Sequence, residues 1–519
     1  MVARPAVTAR SSLESLRPLT PAEERIVADL AVGEFDRLGD GRRPESDDPS
    51  REVRASFLRF LILGGDERYR PHEKGVRVSG GWISGLLDVE GARIPRDIGL
   101  TDCRFDAVPV LRYAVIDNLF LDGSALPGLN AERLEARGGV SLKGAAVSGE
   151  LRLSGSRLDG NLSLDGASVS CPGRAALTAD GIALRSVELR GARIDGETRM
   201  TAARVDGDLD LTGARLSHPD GEALHLNRTV VRGGLFLRGG AQIKGALDLT
   251  GASVDTLHDD EASWPAPGDL LLNRCLYNAL IGGPMDAGRR IAWLARQTPD
   301  RWGEEFWPQP YEQLAYVFRD MGHDDDAKTV LVEKERLQRA ARRARASNPL
   351  WRLLLAVKDS LLGVTLGYGR KPLLAFAWLL FFWGLGVAVF AVAQAQSAIK
   401  PNSPVILRSP EWILCGVPKG ESVTLTAGPA IGRALPGQSQ LHCFLAQPEA
   451  SSYPVFNAWM YSLDTLFPVL EIGQKEYWRP DPSQRLGSGI MGYFYFQAIV
   501  GWALSLLAIA GFSGLVKSR

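Results

Sequence analysis

The segment 452–474 holds the residues of this sequence that are best placed to do chemistry, because polar side chains interrupt a largely apolar stretch there. Asn457, Tyr461 and Asp464 are spaced by four and then three residues, which places them on one face of a helix. Glu471 is the second carboxylate of the segment. An ionisable group in such surroundings is a functional candidate, and carboxylate oxygens attract cations. Asp464 and Glu471 are therefore candidates for contact with a cation.

Two cysteines offer a second kind of chemistry. Cys415 and Cys443 lie in a connection that we expect outside the cell, where an oxidising environment favours a disulfide between them. The sequence has no CxxC pair and no GxGxxG that follows a strand. His323 precedes three aspartates, a pattern typical of a helix start. We therefore predict no catalytic, cofactor-binding or metal-binding residues.

Two apolar runs must position these groups. Residues 372–396 and 491–516 carry no charged side chain. At 1.5 Å per residue each is long enough to cross roughly 30 Å of hydrocarbon. We predict two transmembrane helices in a lipid bilayer, joined through an external loop domain over residues 397–452.

The segment 453–474 lies between that loop and the second apolar run. Pro454 can begin a helix and Pro468 must end it, so the helix is too short to span the bilayer. We expect a short re-entrant or interfacial helix, followed by a non-helical stretch. Backbone of that kind at membrane depth must lie inside protein or along water.

The residues that precede the first apolar run predict which side of the membrane the chain occupies. Residues 347–371 have the pattern of an amphipathic helix at the membrane surface. Basic residues lie close to both apolar runs, at Arg370 and Lys371 before the first and at Lys517 and Arg519 after the second. The first 20 residues are polar, so no signal peptide is predicted. We therefore expect both termini in the cytoplasm of a cell with an inner membrane.

An internal repeat occupies residues 67–280. Gly144, Gly155 and Gly166 recur at a step of 11 residues, each after an alternating strand such as Leu151-Arg152-Leu153. Inward leucines and small residues at the corners are typical of a parallel β-helix. The fold class is therefore mainly β: a solenoid with helical caps, followed by a two-helix transmembrane region with a short re-entrant helix. The caps are a disordered tail and helices in residues 1–66, and a helical hairpin in 281–346.

Composition excludes one class of partner. The 519 residues include 60 basic and 60 acidic side chains, so no net positive charge recruits nucleic acid.

The C-terminal region resembles a pore-loop channel subunit, with an outer span, a short pore helix, an extended filter segment and an inner span. Ser462-Leu463-Asp464-Thr465-Leu466 is similar to the end of a pore helix, and Ile472-Gly473 lies where a filter glycine is expected. The sequence departs from the family at the filter, which has no TVGYG-like motif. The resemblance implies a homo-oligomeric ring that conducts a cation. The candidate pore or filter residues are Asp464, Thr465, Phe467, Pro468, Glu471 and Gly473.

The whole chain also resembles bacterial membrane proteins with a solenoid and two helices, which are often labelled membrane-associated oxidoreductases. The LxLxGA repeats and the run from Gly367 to Pro372 (GYGRKP) carry this resemblance.

Three hypotheses for function follow. The first is a pore-loop-type ion channel with a cytoplasmic β-solenoid as its regulatory domain. The alternative is a membrane-anchored solenoid scaffold or sensor, which binds a cytoplasmic protein or ligand. The third, implied by the second resemblance, is an oxidoreductase. Oligomeric state separates the first two, because a pore-loop channel must be a ring.

Overall fold

A computed structural model describes residues 12–368, 373–425, 428–467 and 469–512. The chain forms two compact units, which divide between Lys334 and Glu335. The first unit contains the solenoid and the second contains the apolar helices. Each unit is described by itself below.

Two short helices begin the first unit: α1 (Pro21–Asp29) and α2 (Ala55–Ile62). The Thr20 side chain accepts a hydrogen bond from the backbone N–H of Glu23, whose carboxylate accepts one from the N–H of Thr20 in return. This capping box satisfies two N–H groups that the first turn leaves without a helical partner. The side chains of α2 are mostly buried, as expected for a helix that caps a solenoid.

The solenoid is a parallel β-helix of about nine turns. Glu135 pairs in register with Arg157, and Val140 with Leu162, so one turn takes 22 residues in this region. The 11-residue step of the sequence is therefore half a turn. A typical turn has four short strands, two in each of two parallel sheets, as the chain between residues 115 and 130 illustrates.

The strands of the first sheet are Asp36–Arg37, Val76–Ser79, Arg93–Ile94, Ile98–Thr101, Val115–Ile116, Leu119–Phe120, Glu135–Ala136, Val140–Ser141, Arg157–Leu158, Leu162–Ser163, Ala183–Leu184, Val187–Glu188, Arg204–Val205, Leu209–Asp210, Val230–Leu237, Ser253–Asp259 and Leu276–Ile281. The strands of the second sheet are Glu52–Arg54, Trp82–Ser84, Arg104–Phe105, Ala125–Leu126, Leu129–Asn130, Ala146–Val147, Leu151–Arg152, Ser168–Thr178, Arg193–Arg199, Arg215–His225, Gln242–Asp248 and Leu270–Leu271.

The interior of the solenoid is a continuous stack of aliphatic side chains, as the sequence predicted. Leu153, Leu164 and Leu211 are fully buried in it. Gly144 has a φ of 64°, the left-handed conformation that glycine adopts without steric cost. Ala202 takes the same conformation with a φ of 54°, so the corner favours glycine but does not require it.

Three helices follow the last strand: α3 (Ala287–Leu294), α4 (Gln309–Asp320) and α5 (Asp324–Arg345), with α5 continuing into the second unit. A buried ion pair joins α3 to the solenoid, because the Arg290 guanidinium binds both carboxylate oxygens of Asp259, at 2.6 and 2.8 Å. Trp264 and Trp293 lie beside the same guanidinium. A bidentate pair with fixed geometry is the form in which burial of both charges is tolerated.

The helices of the second unit after α5 are α6 (Pro349–Leu366), α7 (Leu373–Ala395), α8 (Pro404–Leu407), α9 (Pro410–Cys415), α10 (Gln440–Leu445), α11 (Ala458–Leu466), α12 (Gln474–Tyr477) and α13 (Gly487–Phe512). Two antiparallel strand pairs lie between them: Ile399–Pro401 with Trp478–Pro480, and Ser422–Leu425 with Gly428–Ile431. In the described part of the chain, two helices are long and apolar enough to cross a membrane: Leu373–Ala395 and Gly487–Ala510.

The helix α6 lies within the segment 347–371, where an amphipathic helix was expected. Its Asp359 carboxylate is buried between Arg339 and Arg343 of α5, because the C-terminal turns of α5 pack on that face. The apolar side chains Leu353 and Leu354 remain exposed.

Candidate functional site

The short helix α11 packs against both apolar helices of the second unit. Near its start, the Tyr461 ring meets Phe390 of α7 edge to face, with ring centroids 4.7 Å apart. At its end, Leu466 is buried with Leu379 of α7 and Leu504 of α13. We call the contact region of α7, α11 and α13 the helix junction.

Two glycines allow the close approach of these helices. A Cβ at Gly386 of α7 would overlap the side chains of Ser462 and Gln497. A Cβ at Gly501 of α13 would overlap the carbonyl oxygen of Leu466. Any larger residue at either position would therefore push a helix away. Small residues have the same role wherever helices in an apolar environment pack closely.

A buried polar cluster lies at the centre of the junction. The Ser462 hydroxyl donates to the backbone carbonyl of Trp383, at 2.8 Å, and accepts from the Gln497 amide nitrogen, at 2.9 Å. Both side chains are fully buried. Among the described residues, the Gln497 Oε1 atom and the Tyr461 hydroxyl have no hydrogen-bond partner. Unpartnered buried polar atoms are uncommon, and they mark positions where water or a polar ligand can bind.

Asp464 ties the segment after α11 back onto that helix. Its carboxylate, which is fully buried, accepts hydrogen bonds from the backbone N–H groups of Ile472 at 3.3 Å and Lys475 at 2.9 Å. The Lys475 ammonium lies 3.4 Å from the same carboxylate. Asp464 is therefore an internal anchor of the return segment 467–475.

The other candidate residues take separate positions. Thr465 is buried and donates to the carbonyl of Tyr461, and Phe467 packs beside the Leu379 cluster. Gly473 has a φ of 85° and is the N-cap residue of α12, whereas the side chain of Glu471 is exposed. Pro468 lies outside the described residues. The structure thus brings Asp464 together with the return segment. In a single chain, Glu471 is exposed to solvent.

The start of α11 differs from the expectation. The sequence suggested a helix from Pro454, but α11 begins at Ala458 because the Asn457 side chain caps it, accepting from the N–H groups of Trp459 and Met460. Asn457 is a strong N-cap residue, and proline alone does not fix a helix start. Asn457, Tyr461 and Asp464 therefore do not form one functional stripe: the first caps the helix, the second packs among aromatic rings and the third anchors the return segment.

The predicted disulfide is present. Cys415 at the end of α9 bonds to Cys443 in α10, with Cα atoms 5.6 Å apart. Trp412 and Phe444 pack edge to face beside it, with ring centroids 5.5 Å apart. The bond and these rings form the core of the connection between α7 and α11.

One polar cluster of the solenoid was missed by the sequence analysis. Glu222 and His225 lie in one turn and Asp248 in the next, and each places a ligand-type atom within 4.8 Å of the others. Glu222 contacts Nδ1 of His225, while Asp248 lies 3.7 Å from Nε2. Since the carboxylates face different ring nitrogens, the geometry fits an imidazolium between two anions. Only the register of neighbouring turns, which pairs His225 with Asp248, could have revealed it.

Comparison of the chain with protein-family models, curated proteins and solved structures finds no match. What the protein does must therefore be inferred from its own residues. The helix junction and its return segment carry most of that inference, because Ser462, Asp464 and Gln497 are buried there between apolar helices.

Substitution of Asp464 tests the anchor. In Asp464→Leu the N–H groups of Ile472 and Lys475 lose their acceptor and the ammonium loses its partner. We expect the local free energy of unfolding to fall by about 2 kcal/mol. This is less than for a fully buried ion pair, because Lys475 is partly exposed. Amide exchange in residues 470–476 should therefore become roughly 30-fold faster. Hydrogen–deuterium exchange by mass spectrometry on the purified chain measures it. Glu471→Gln is the control, and equal exchange in both variants would contradict the anchor.

The His225 cluster predicts a pH-dependent stabilisation of its turns. The hydrogen bond with Glu222 raises the pKa of His225 above 6.5, and the same bond lowers the pKa of Glu222 below 4.5. Because the pKa of His225 is raised, its protonated form stabilises the fold at low pH, and this contribution is lost as the pH rises through that pKa. Because the pKa of Glu222 is lowered, its charged form also stabilises the fold, and this contribution is lost as the pH falls through that pKa. The stabilisation is therefore greatest between about pH 4.5 and 6.5.

We expect His225→Gln to weaken exchange protection of residues 222–248 at pH 5.5, and much less at pH 8.5. The ratio of variant to wild-type exchange rates at each pH removes the intrinsic pH dependence of exchange. His218→Gln, in the same strand, is the control. An equal effect of His225→Gln at both pH values would mean that the imidazole is not charged in the cluster.

Proposed function

We propose that this chain is a multi-pass membrane protein in which α7 and α13 cross the bilayer and anchor a β-solenoid that binds a partner. One observation carries the proposal: the distribution of polarity around the helix junction. Ser462, Asp464 and Gln497 are fully buried, while the exposed side chains of α7 and α13 include Leu380, Phe381, Leu385, Ile499, Trp502 and Leu506. Polar groups inside and apolar groups outside suit surroundings of lipid.

The orientation follows from the two ends of the helix pair. At one end Leu362 of α6 packs near Ala375 and Ala508, where α7 begins and the described part of α13 ends. At the other end α7 leads into the connection that carries the Cys415–Cys443 disulfide. A structural disulfide persists in an oxidising compartment. We infer that the disulfide faces the outside and that α6 and the solenoid lie in the cytoplasm.

The exposed face of the second sheet supports a binding role for the solenoid. Two shallow grooves of about 650 and 290 Å³ run along this face and share Ser168 and Ser170 as lining residues. Arg193 and Lys244 line one of them, and Asp47 and Arg104 line the other. Because the serines that both grooves share are small and lie between charged side chains, the grooves have room for a polar polypeptide. We propose a cytoplasmic protein as the partner of this surface.

Cysteine labelling tests the anchor and its orientation. The background is Cys171→Ser, because Cys171 is the free cysteine of the described chain that is partly exposed. On intact cells an impermeant maleimide should label Ser422→Cys in the external connection and spare Asp206→Cys on the solenoid until the membrane is permeabilised. Both positions are exposed in the structure, so access depends on the membrane alone. External labelling at position 206 would contradict the orientation.

A second candidate function, a pore-loop-type ion channel built from several copies, is favoured by the arrangement of α11. This helix packs against both proposed spans. The return segment 467–475 follows it, and the Asp464 carboxylate binds that segment at the N–H group of Lys475. The exposed Glu471 on that segment is free to converge with its copies in a ring, and an acidic ring favours cations. Gln497 and Tyr461 add unpartnered polar atoms inside the junction.

Recordings in planar bilayers separate the two candidates. If the channel hypothesis holds, the reconstituted chain conducts, and Glu471→Gln lowers its preference for cations over anions because the ring loses its charge. Glu449→Gln, which removes an exposed carboxylate from the external connection, leaves that preference unchanged. A silent bilayer with a monomeric or dimeric particle would end the channel hypothesis and leave the anchored solenoid.

A further inference from the structure

An apolar groove lies where α6 meets the two apolar helices. Its volume is about 730 Å³, and its walls come from α6, α7 and α13. The side chains that shape it are Val357, Leu361, Trp378, Phe382, Phe496 and Val500. A groove of this size in a folded chain leaves many apolar contacts unmade, which favours an apolar occupant.

The depth of the groove matches one leaflet of a bilayer. The α13 residues that line it run from Phe496 at its upper end to Leu507 at its lower end, next to α6. These 11 residue steps rise roughly 16 Å along α13. Half of a hydrocarbon core of roughly 30 Å is about 15 Å. The groove is therefore about as long as the leaflet next to α6 is thick.

A pair of aromatic rings bounds one end of the groove, which favours a thin occupant over a helix. The rings of Phe382 and Phe496 meet edge to face at its upper end, with centroids 6.0 Å apart, and α6 forms one side wall. A neighbouring transmembrane helix is about 10 Å wide and needs an open track along the span. A hydrocarbon chain is narrower and can end below the two rings.

The charge beside the groove is positive. Residues 339–366 carry six basic side chains and one acidic side chain, Asp359, whose carboxylate already binds Arg339 and Arg343. Lys358 follows the groove residue Val357 in α6 and is exposed. Basic groups at the cytoplasmic end of a membrane helix attract anionic headgroups.

We propose that this groove is a binding site for an anionic phospholipid of the leaflet next to α6. One acyl chain fills the groove, and the phosphate lies near Lys358 and the basic end of α5. The inference rests on the proposed insertion of α7 and α13 in a membrane. Such a lipid would join α6, which follows directly on α5, to the helix junction, so that lipid composition could control their packing.

Native mass spectrometry of the full chain in detergent, with phosphatidylglycerol or phosphatidylcholine added, tests the site. Ala503→Trp places an indole in the groove from an exposed position of α13, and Ala377→Trp makes the same change on the exposed surface of α7 away from the groove. We expect Ala503→Trp to reduce retained phosphatidylglycerol at least tenfold and Ala377→Trp to leave it unchanged. Equal retention in the two variants would overturn the site.

A second variant tests the preference for an anionic headgroup. Lys358→Gln changes an exposed side chain and keeps the groove intact, so it should lower the retention of phosphatidylglycerol and leave that of phosphatidylcholine unchanged. Equal retention of the two lipids by the wild type would overturn the anionic preference.

Alkaline carbonate extraction of cell membranes separates a failure of the lipid site from a failure of the proposed membrane insertion. If the chain resists extraction but Ala503→Trp binds lipid normally, only the lipid site is wrong; if the chain is extracted, membrane insertion is wrong.

Discussion

Close backbone packing at Gly386 and Gly501 is the constraint on which the second unit depends. Because neither position has a Cβ, α11 can lie near enough to α7 and α13 for Ser462 and Gln497 to reach each other and a main-chain carbonyl. A wider junction would leave these polar groups buried without partners, at a cost of about 1–3 kcal/mol each. The position of the return segment follows from the same packing, because α11 positions Asp464 and Asp464 binds Lys475 of that segment.

Much of this architecture could be predicted from local pattern. The inward Leu153 and Leu164, the capping box at Thr20 and the pairing of Cys415 with Cys443 each depend on signals contained in the sequence. The candidate site could be predicted only in part. The role of Asp464 depends on a lysine 11 residues later, and that of Asp359 depends on the packing of α5. Periodicity identifies a polar residue on a helix, but tertiary contacts decide whether it meets solvent or a buried partner.

The polar residues of the junction explain why two functional hypotheses share one geometry. A two-helix anchor needs its buried polar groups paired within the chain, and Ser462 meets that need. A conducting assembly also needs polar groups that remain available, and Glu471 and the Gln497 Oε1 atom are of this kind. The same helix packing serves either purpose. The two functions differ in whether further copies of the chain surround the return segment.

The 22-residue turn of the solenoid has a consequence for how such a domain can change in evolution. Each turn pairs only with the turns before and after it. Duplication of one whole turn would add 22 residues and raise the stack by only about 4.8 Å, the spacing between neighbouring strands. The helices at both ends would still meet a sheet edge of the same shape. Duplication of a whole turn can therefore lengthen the exposed face of the second sheet by one strand spacing, and extra residues within a turn are accommodated where the register shifts, as in the strands Ser168–Thr178 and Arg215–His225.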